Sequence, residues 1–99
     1  MNIATIQQHV AASFGVPIIE MASARRSRSV ARPRQIAMFL ARQLTTHSLP
    51  EIGREFGNRD HTTVMWAIER VEQLSTDDQG FAARIADLRD ELLTEPENV

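Results

Sequence analysis

The chain has 99 residues, 42 % of them hydrophobic and none of them cysteine, with a formal net charge of −2. This length supports one compact core, so we expect a single domain over residues 1–99, and the missing cysteines exclude disulfide frameworks, thiolate zinc sites and cysteine nucleophiles. No apolar run approaches the roughly 20 residues that a membrane-spanning helix needs, and no secretory signal pattern opens the chain, so we expect a cytoplasmic protein without a membrane span.

Apolar residues spaced three and four apart predict helices in the first half of the chain. The first helix starts behind a possible Asn2 cap, ends at Gly15 and buries Ile3, Ile6, Val10 and Phe14. A short apolar stretch over residues 18–21 and a polar loop over residues 23–29 follow. The next helix is expected to begin near Pro33 and to bury Ile36, Ala37, Leu40 and Leu44. Its opposite face is expected to carry Arg34, Met38 and Arg42.

Three further helices are predicted in the second half. Ser48 and Glu51 form a capping box around Pro50, which predicts a helix that buries Leu49, Ile52 and Phe56. Gly57 and Asn58 end this helix. Asp60 can cap the following helix, whose apolar stripe consists of Val64, Ala67, Ile68, Val71 and Leu74. After a break at residues 76–78, the last amphipathic helix buries Phe81, Ile85, Leu88 and Leu92.

The two helices on either side of the glycine-containing turn predict a helix-turn-helix, in which the N-terminus of the second helix meets base edges in the major groove of DNA. Asp60 can accept a hydrogen bond from a base amino group, His61 can donate one, and the Thr62 methyl group can pack on a thymine methyl. Thr63 would face a phosphate, and Met65 lies on the same side of the helix. The predicted fold is therefore an all-α, Trp-repressor-like helix-turn-helix bundle of about five or six helices.

Each of these residues also has a plainer interpretation. Asp60 can be an ordinary helix cap, and the threonines can be ordinary helix-start residues. His61 beside Asp60 could suggest a catalytic dyad, but the sequence offers no nucleophile or oxyanion cradle, so we do not expect an enzyme. For Met65 and Trp66 packing is the commoner role, and for Trp66 it is the favoured interpretation.

Arginines are concentrated in one segment. Residues 25–34 hold five arginines and no acid, and the chain has no lysine. Residues 1–76 carry nine arginines against six acids, whereas residues 77–99 carry two arginines against seven acids. The segment could be a solvated basic loop or a loop that binds phosphate. Five cations repel one another unless a polyanion lies close, which favours phosphate binding. One arginine of such a loop could also enter a narrow minor groove of DNA. Arg32 could instead pair with an acid of the same chain.

Three motifs together resemble one known family: RRSRSVARPRQ at residues 25–35, SLPEIG at 48–53 and RDHTTV at 59–64. They are similar, in order and spacing over about residues 3–75, to the C-terminal DNA-binding domain, domain IV, of the bacterial replication initiator DnaA. The resemblance implies that double-stranded DNA is the partner, through a TTATCCACA-like DnaA box at replication origins, and that the protein associates with the nucleoid. One monomer per asymmetric box is expected, with no cofactor and no metal.

The resemblance also assigns roles to individual residues. Base contacts are implied for one arginine in the minor groove and for side chains in or near the recognition helix: Arg26, Asp60, His61, Thr62, Pro50 and Met65. Phosphate contacts are implied for Arg25, Ser27, Arg28, Arg34, Gln35, Arg42 and Thr63. Ala24 stands where many family members have a basic residue, so one nonspecific phosphate contact is expected to be missing.

The chain contains no phosphate loop of the form Gly-x-x-x-x-Gly-Lys-Ser/Thr, so we expect no nucleotide site in it. Two alternatives therefore stay open. A free-standing protein could occupy DnaA boxes as a competitor or regulator without initiator ATPase activity. The stripe from Phe81 to Leu92 could alternatively dock on a protein partner, in which case the protein would be an interaction module and the basic loop would only increase its solubility.

Overall fold

The computed structural model describes residues 1–94 and contains five α-helices and one short 3-10 helix. Helices α1 to α5 span Ile3–Phe14, Arg28–Leu44, Leu49–Glu55, His61–Asp77 and Gln79–Thr94, and the 3-10 helix, Ile18–Met21, lies between α1 and α2. The prediction of an all-α bundle is confirmed. Over residues 1–94, no helix combines the length and apolar character that crossing a membrane requires. The end of the predicted acidic tail, residues 95–99, lies outside the described residues.

Helix α2 is the centre of the bundle. It packs against α1, the 3-10 helix, α3 and α4, while α3 also packs on α4, and α5 packs on α4 and α1. The core is contiguous and draws fully buried side chains from all five α-helices, among them Ile6, Leu40, Ile52, Val64 and Leu88. Because apolar burial is the main favourable contribution to folding, this core fixes the relative positions of the helices that carry the polar surface.

Helix α2 begins at Arg28, earlier than the predicted start near Pro33. The Ser27 carbonyl accepts hydrogen bonds from the Val30 and Ala31 N–H groups, at 3.1 and 2.9 Å, and Val30 is buried. Pro33 therefore lies inside the helix, where it cannot donate to the carbonyl four residues earlier. The predicted loop over residues 23–29 is correspondingly shorter, and its last residues form the first turn of α2.

The prediction that the face of α2 opposite its apolar stripe is exposed is also wrong in part. Arg34 and Met38 are only 5 % and 2 % exposed, and of the three residues assigned to that face only Arg42 is exposed. The physical reason is that α2 is covered by neighbours on more than one side, so it buries more than the single apolar stripe of a surface helix.

The turn between α3 and α4 depends on close backbone contacts. The Arg59 N–H donates to the Gly53 carbonyl at 2.8 Å, and a Cβ atom added at Gly53 would overlap the Arg59 carbonyl oxygen. Gly57 and Asn58 both adopt left-handed backbone angles, with φ of 77° and 57°. Since left-handed geometry favours glycine and asparagine, this sequence reverses the chain within a few residues and aims the N-terminus of α4 outward.

Helix α5 is part of the core. Ile85, Leu88 and Leu92 are buried, and Phe81 is half-buried against the same cluster. On the neighbouring face, Arg84 donates to the Ser13 carbonyl at 3.2 Å and lies over the Phe14 ring of α1. The stripe that could have docked on a protein partner is therefore occupied by this chain's own core, which corrects the interaction-module alternative.

Candidate nucleic-acid interface

The N-terminus of α4 is exposed and capped by Asp60. Its Oδ2 atom accepts from the Thr62 N–H at 2.9 Å, and its side chain keeps 64 % of its surface exposed. This hydrogen bond holds the pKa of the Asp60 carboxyl below its ordinary value. The cap uses Oδ2, while Oδ1, on the same exposed side chain, lies 3.6 Å from His61 Nδ1. Capping therefore leaves an oxygen that can meet a ligand, and the two interpretations of Asp60 are compatible.

The outward surface of α4 continues from this cap. His61, Thr63 and Met65 are exposed and Thr62 is half-buried. Pro50, near the start of α3, is exposed as well, in a helix whose capping box is complete: Ser48 Oγ accepts from the Glu51 N–H and Glu51 accepts from the Ser48 N–H. All the predicted base-contacting residues of the helix-turn-helix are thus at least partly exposed.

The segment of residues 22–27, called the arginine loop below, is tied to the core by polar contacts. Glu20 is 8 % exposed, and its carboxylate accepts from Ser23 Oγ at 2.6 Å and from Arg25 Nη1 at 2.7 Å. The buried Arg34 donates to the Glu20 carbonyl, to the Arg25 carbonyl at 3.0 Å and to Ser23 Oγ at 3.1 Å. Four hydrogen bonds from one planar guanidinium hold the loop at a fixed distance from α2.

Arg59 ties the same loop to the helix-turn-helix. Its Nη2 donates to the Ser23 carbonyl at 2.6 Å and its Nη1 to the Phe56 carbonyl. Partial burial lowers the pKa of Arg59, which nevertheless remains positively charged. The loop and the turn also meet at Gly57, where an added Cβ atom would overlap the Ala22 carbonyl oxygen. The arginine loop is therefore positioned relative to α4 by direct contacts.

The predicted phosphate contacts divide into accessible and internally bonded groups. Ser27 and Arg28 are exposed, and so is Arg26, the predicted minor-groove contact. Arg25 is exposed but paired with Glu20, and Arg42 is exposed while donating to the His47 carbonyl at 3.1 Å.

The other two predicted phosphate contacts on α2 differ in their surroundings. Gln35 is half-buried, and its Oε1 has no hydrogen-bond partner among residues 1–94. Arg34 is buried with its guanidinium hydrogen-bonded inside the protein, so its expected phosphate contact stays a prediction while its structural contacts are clear.

The acid partner considered for Arg32 is not found within residues 1–94. Its Nη1 is buried without a hydrogen-bond partner. Burial lowers the pKa of Arg32, and the positive charges of Arg70 and Arg28 lower it further. The positive charges of Arg28, on α2, and Arg70, on α4, thus each repel that of Arg32.

An open groove of about 810 Å³ separates the arginine loop from α4. It is lined by residues of the arginine loop, α2 and α4, among them Arg26, Gln35, Thr63, Trp66 and Arg70. Trp66 is 63 % exposed, which overturns the packing interpretation. Trp66 and Arg70 follow Thr63 at intervals of three and four residues, so a longer reading of that helical face would have identified both residues.

Comparison with known proteins identifies this arrangement. The family model described as the bacterial DnaA protein helix-turn-helix matches residues 3–71. The chain belongs to the DnaA family. It corresponds to the C-terminal helix-turn-helix domain of DnaA, so the resemblance noted in the sequence is confirmed.

Individual relatives agree with this assignment. The chromosomal replication initiator protein DnaA of Gluconobacter oxydans is 55 % identical over 89 residues, which are 90 % of this chain and 19 % of that protein. DnaA of Methylobacillus flagellatus is 55 % identical over 86 residues, 87 % of this chain and 18 % of that protein. The chain therefore spans about a fifth of the length of these DnaA relatives.

A solved structure supports the same fold. The crystal structure of a DNA replication initiation factor superposes with a TM-score of 0.82 at 32 % identity, covering 90 % of this chain and 27 % of that one. The five-helix arrangement described above is therefore the DnaA domain fold.

Proposed function

We propose that this DnaA domain binds double-stranded DNA sequence-specifically at DnaA-box-type sites of the form TTATCCACA, in replication origin recognition or its regulation. The observation that carries the proposal is the attachment of the exposed arginine loop to the helix-turn-helix through Arg59 and Arg34. This attachment presents a helix N-terminus and a cationic loop on either side of one groove, an arrangement that supports simultaneous contact with two adjacent grooves of a duplex.

In this proposal α4 enters the major groove by its N-terminus. Asp60, His61 and Thr62 read base edges, and Thr63 faces a phosphate. Pro50 and Met65 supply apolar contact at the edges of the same surface. The free N–H groups at the start of a helix favour a nearby anion, so the orientation of α4 adds to the attraction for the DNA backbone.

Arg26 enters the adjacent minor groove in this proposal. It is exposed, and it lies between Arg25, which is paired with Glu20, and Arg28 at the start of α2. A guanidinium is favoured in a narrow minor groove because the negative potential is deepest there. The remaining contacts to the backbone come from Arg25, Ser27, Arg28, Gln35 and Arg42. Arg34 acts mainly by holding the loop.

One domain per box is the stoichiometry we propose, since the reading surface has no internal symmetry and the box is asymmetric. The chain spans about a fifth of the length of its DnaA relatives, so the proposal is limited to recognition of the site. This domain supplies the recognition of the site.

The test is a fluorescence-anisotropy titration with a duplex carrying TTATCCACA and with a scrambled duplex of equal length and composition, at fixed salt. A preference of roughly 10³-fold or more for the box is expected. His61→Ala and Arg26→Ala should each weaken box binding by about 1–3 kcal/mol. Arg89→Gln, which removes an arginine charge on α5, is the control and should change binding little. Equal affinity for both duplexes would overturn the proposal.

A further inference from the structure

The groove between the arginine loop and α4 has a defined place in the proposed complex. A major groove and the adjacent minor groove are separated by a single sugar-phosphate strand. If α4 occupies one groove and Arg26 the other, that strand must cross the space between them. The groove of about 810 Å³ is this space, and its walls are therefore candidates for contact with the DNA backbone.

Trp66 forms part of the α4 wall. It is the single tryptophan of the chain and is 63 % exposed, although large aromatic side chains are usually mostly buried. An indole offers apolar faces that can pack on deoxyribose, and an N–H group that can donate to a phosphate oxygen. Exposed aromatic surface beside cationic side chains is typical of surfaces that bind nucleic acid.

Arg70 lies four residues after Trp66 and lines the same groove. Together with Arg28 and Arg32 it forms a cationic cluster, since the charges of Arg70 and Arg28 both act on Arg32. Within residues 1–94, neither Arg32 nor Arg70 has an ion-pair partner. Of the three arginines, Arg70 lines the groove, and a phosphate held there would offset the repulsion between Arg70 and Arg32.

From this geometry we infer that Trp66 and Arg70 clamp the DNA strand that crosses between the two grooves. Trp66 packs on the deoxyribose and Arg70 binds a phosphate. Both contacts are to the backbone, so they raise affinity without selecting a base sequence. This inference rests on the proposed function and adds to it two α4 residues that the sequence motifs did not include.

The chain has one tryptophan and no tyrosine, so its intrinsic fluorescence under tryptophan-selective excitation reports Trp66 alone. Titration with the box duplex should change the Trp66 emission and should protect it from quenching by acrylamide, a neutral solute that is not repelled by DNA. The anisotropy of a labelled duplex, recorded in the same titration, reports binding independently. Box-specific anisotropy with unchanged emission and unchanged quenching would overturn the clamp while leaving the proposed function intact. If the anisotropy showed no preference for the box duplex over the scrambled duplex, the proposed function itself would be overturned.

Variants give a second test. Trp66→Ala should weaken binding to the box and to scrambled duplex by the same factor, roughly fivefold to tenfold. Arg70→Gln should weaken both and lower the slope of log affinity against log salt by about one.

The matched controls lie on α5, which lines no part of the groove among the described residues. Leu93→Ala removes an apolar side chain that is 60 % exposed, and Arg89→Gln removes one arginine charge. Neither should change DNA affinity. Wild-type affinity in both the Trp66 and the Arg70 variant, or losses confined to the box duplex, would contradict the inferred backbone clamp.

Discussion

Arg34 donates two hydrogen bonds to the main-chain carbonyl oxygen of Glu20, from Nε at 3.0 Å and from Nη2 at 2.7 Å. This buried contact joins the centre of α2 to the residue from which the arginine loop departs. The Glu20 carboxylate in turn accepts hydrogen bonds from Ser23 and Arg25. Glu20 and Arg34 together therefore hold the arginine loop against α2. The position of the loop therefore depends on the shape of the Arg34 side chain as well as on its charge.

Arg34→Lys should accordingly be strongly destabilising. An ammonium group cannot reproduce the planar donor pattern of the guanidinium, so buried acceptors lose their partners, at a cost of about 1.5–3 kcal/mol in unfolding free energy. Urea denaturation measures this change, and anisotropy should show weaker DNA binding by the same variant. Arg42→Lys, at an exposed position of the same helix, is the control for the stability measurement. If Arg34→Lys kept wild-type stability and lost only DNA affinity, Arg34 would be a direct phosphate contact.

Gly53→Ala should damage the helix-turn-helix. The new methyl group would overlap the Arg59 carbonyl oxygen, and moving that backbone would displace the start of α4. We expect a loss of about 3 kcal/mol in unfolding free energy, measured by thermal or urea denaturation. Gly80→Ala is the matched control, because a Cβ atom there meets only the Asp78 side chain, at 3.3 Å. Equal stability of the two variants would show that the turn can relax without glycine.

Substitutions at Asp60 can separate its role as a helix cap from a role in reading a base. Asp60→Asn keeps an oxygen that can accept from the Thr62 N–H, so the melting temperature should stay close to that of the wild type, whereas Asp60→Ala should lower it. If the Asp60 carboxylate also reads a base, Asp60→Asn should change the preference among box duplexes with single base substitutions, measured by competition anisotropy. An unchanged preference in Asp60→Asn would leave Asp60 as a cap only.

Stability should fall in acid, and Glu20 should carry part of that dependence. The hydrogen bond from Ser23, followed by that from Arg25, holds the pKa of the Glu20 carboxyl below its ordinary value of 4.5. Since the unfolded chain then binds more protons, the unfolding free energy decreases as the pH drops below about 4.5. Urea denaturation at several pH values should show a shallower decrease for Glu20→Gln than for the wild type. The exposed Glu69→Gln control should follow the wild-type curve, and a Glu20→Gln curve parallel to it would refute the assignment.

Local sequence patterns predicted the helices well because each helix buries a periodic apolar stripe. Pro33 misled the prediction of where α2 starts, since proline is commonest in the first turn and here lies beyond it. The burial of Arg34 could not be read from the same pattern, because it depends on acceptors 9 and 14 residues away in sequence that only the folded chain brings together.

The candidate site was predicted less completely than the fold. The residues of the three motifs were identified, and their DNA contacts stay predictions. Trp66 was assigned to packing because its residue type is usually buried, and its exposure follows from the way the arginine loop stands away from α4. The contact that sets this distance, from Arg59 to Ser23, spans 36 residues and has no signature in local spacing.

The uneven distribution of charge gives the two parts of the chain opposite net charges. Nine arginines precede residue 77, whereas seven of the 13 acids follow residue 76. Three of those acids, Asp87, Asp90 and Glu91, lie on α5, which packs on α4 and α1 and, within residues 1–94, lines no part of the groove. If the domain binds DNA as proposed, the field of the duplex attracts the cationic loop and repels the acidic side chains of α5 before contact is made. A larger share of encounters would then begin with the proposed reading surface facing the DNA.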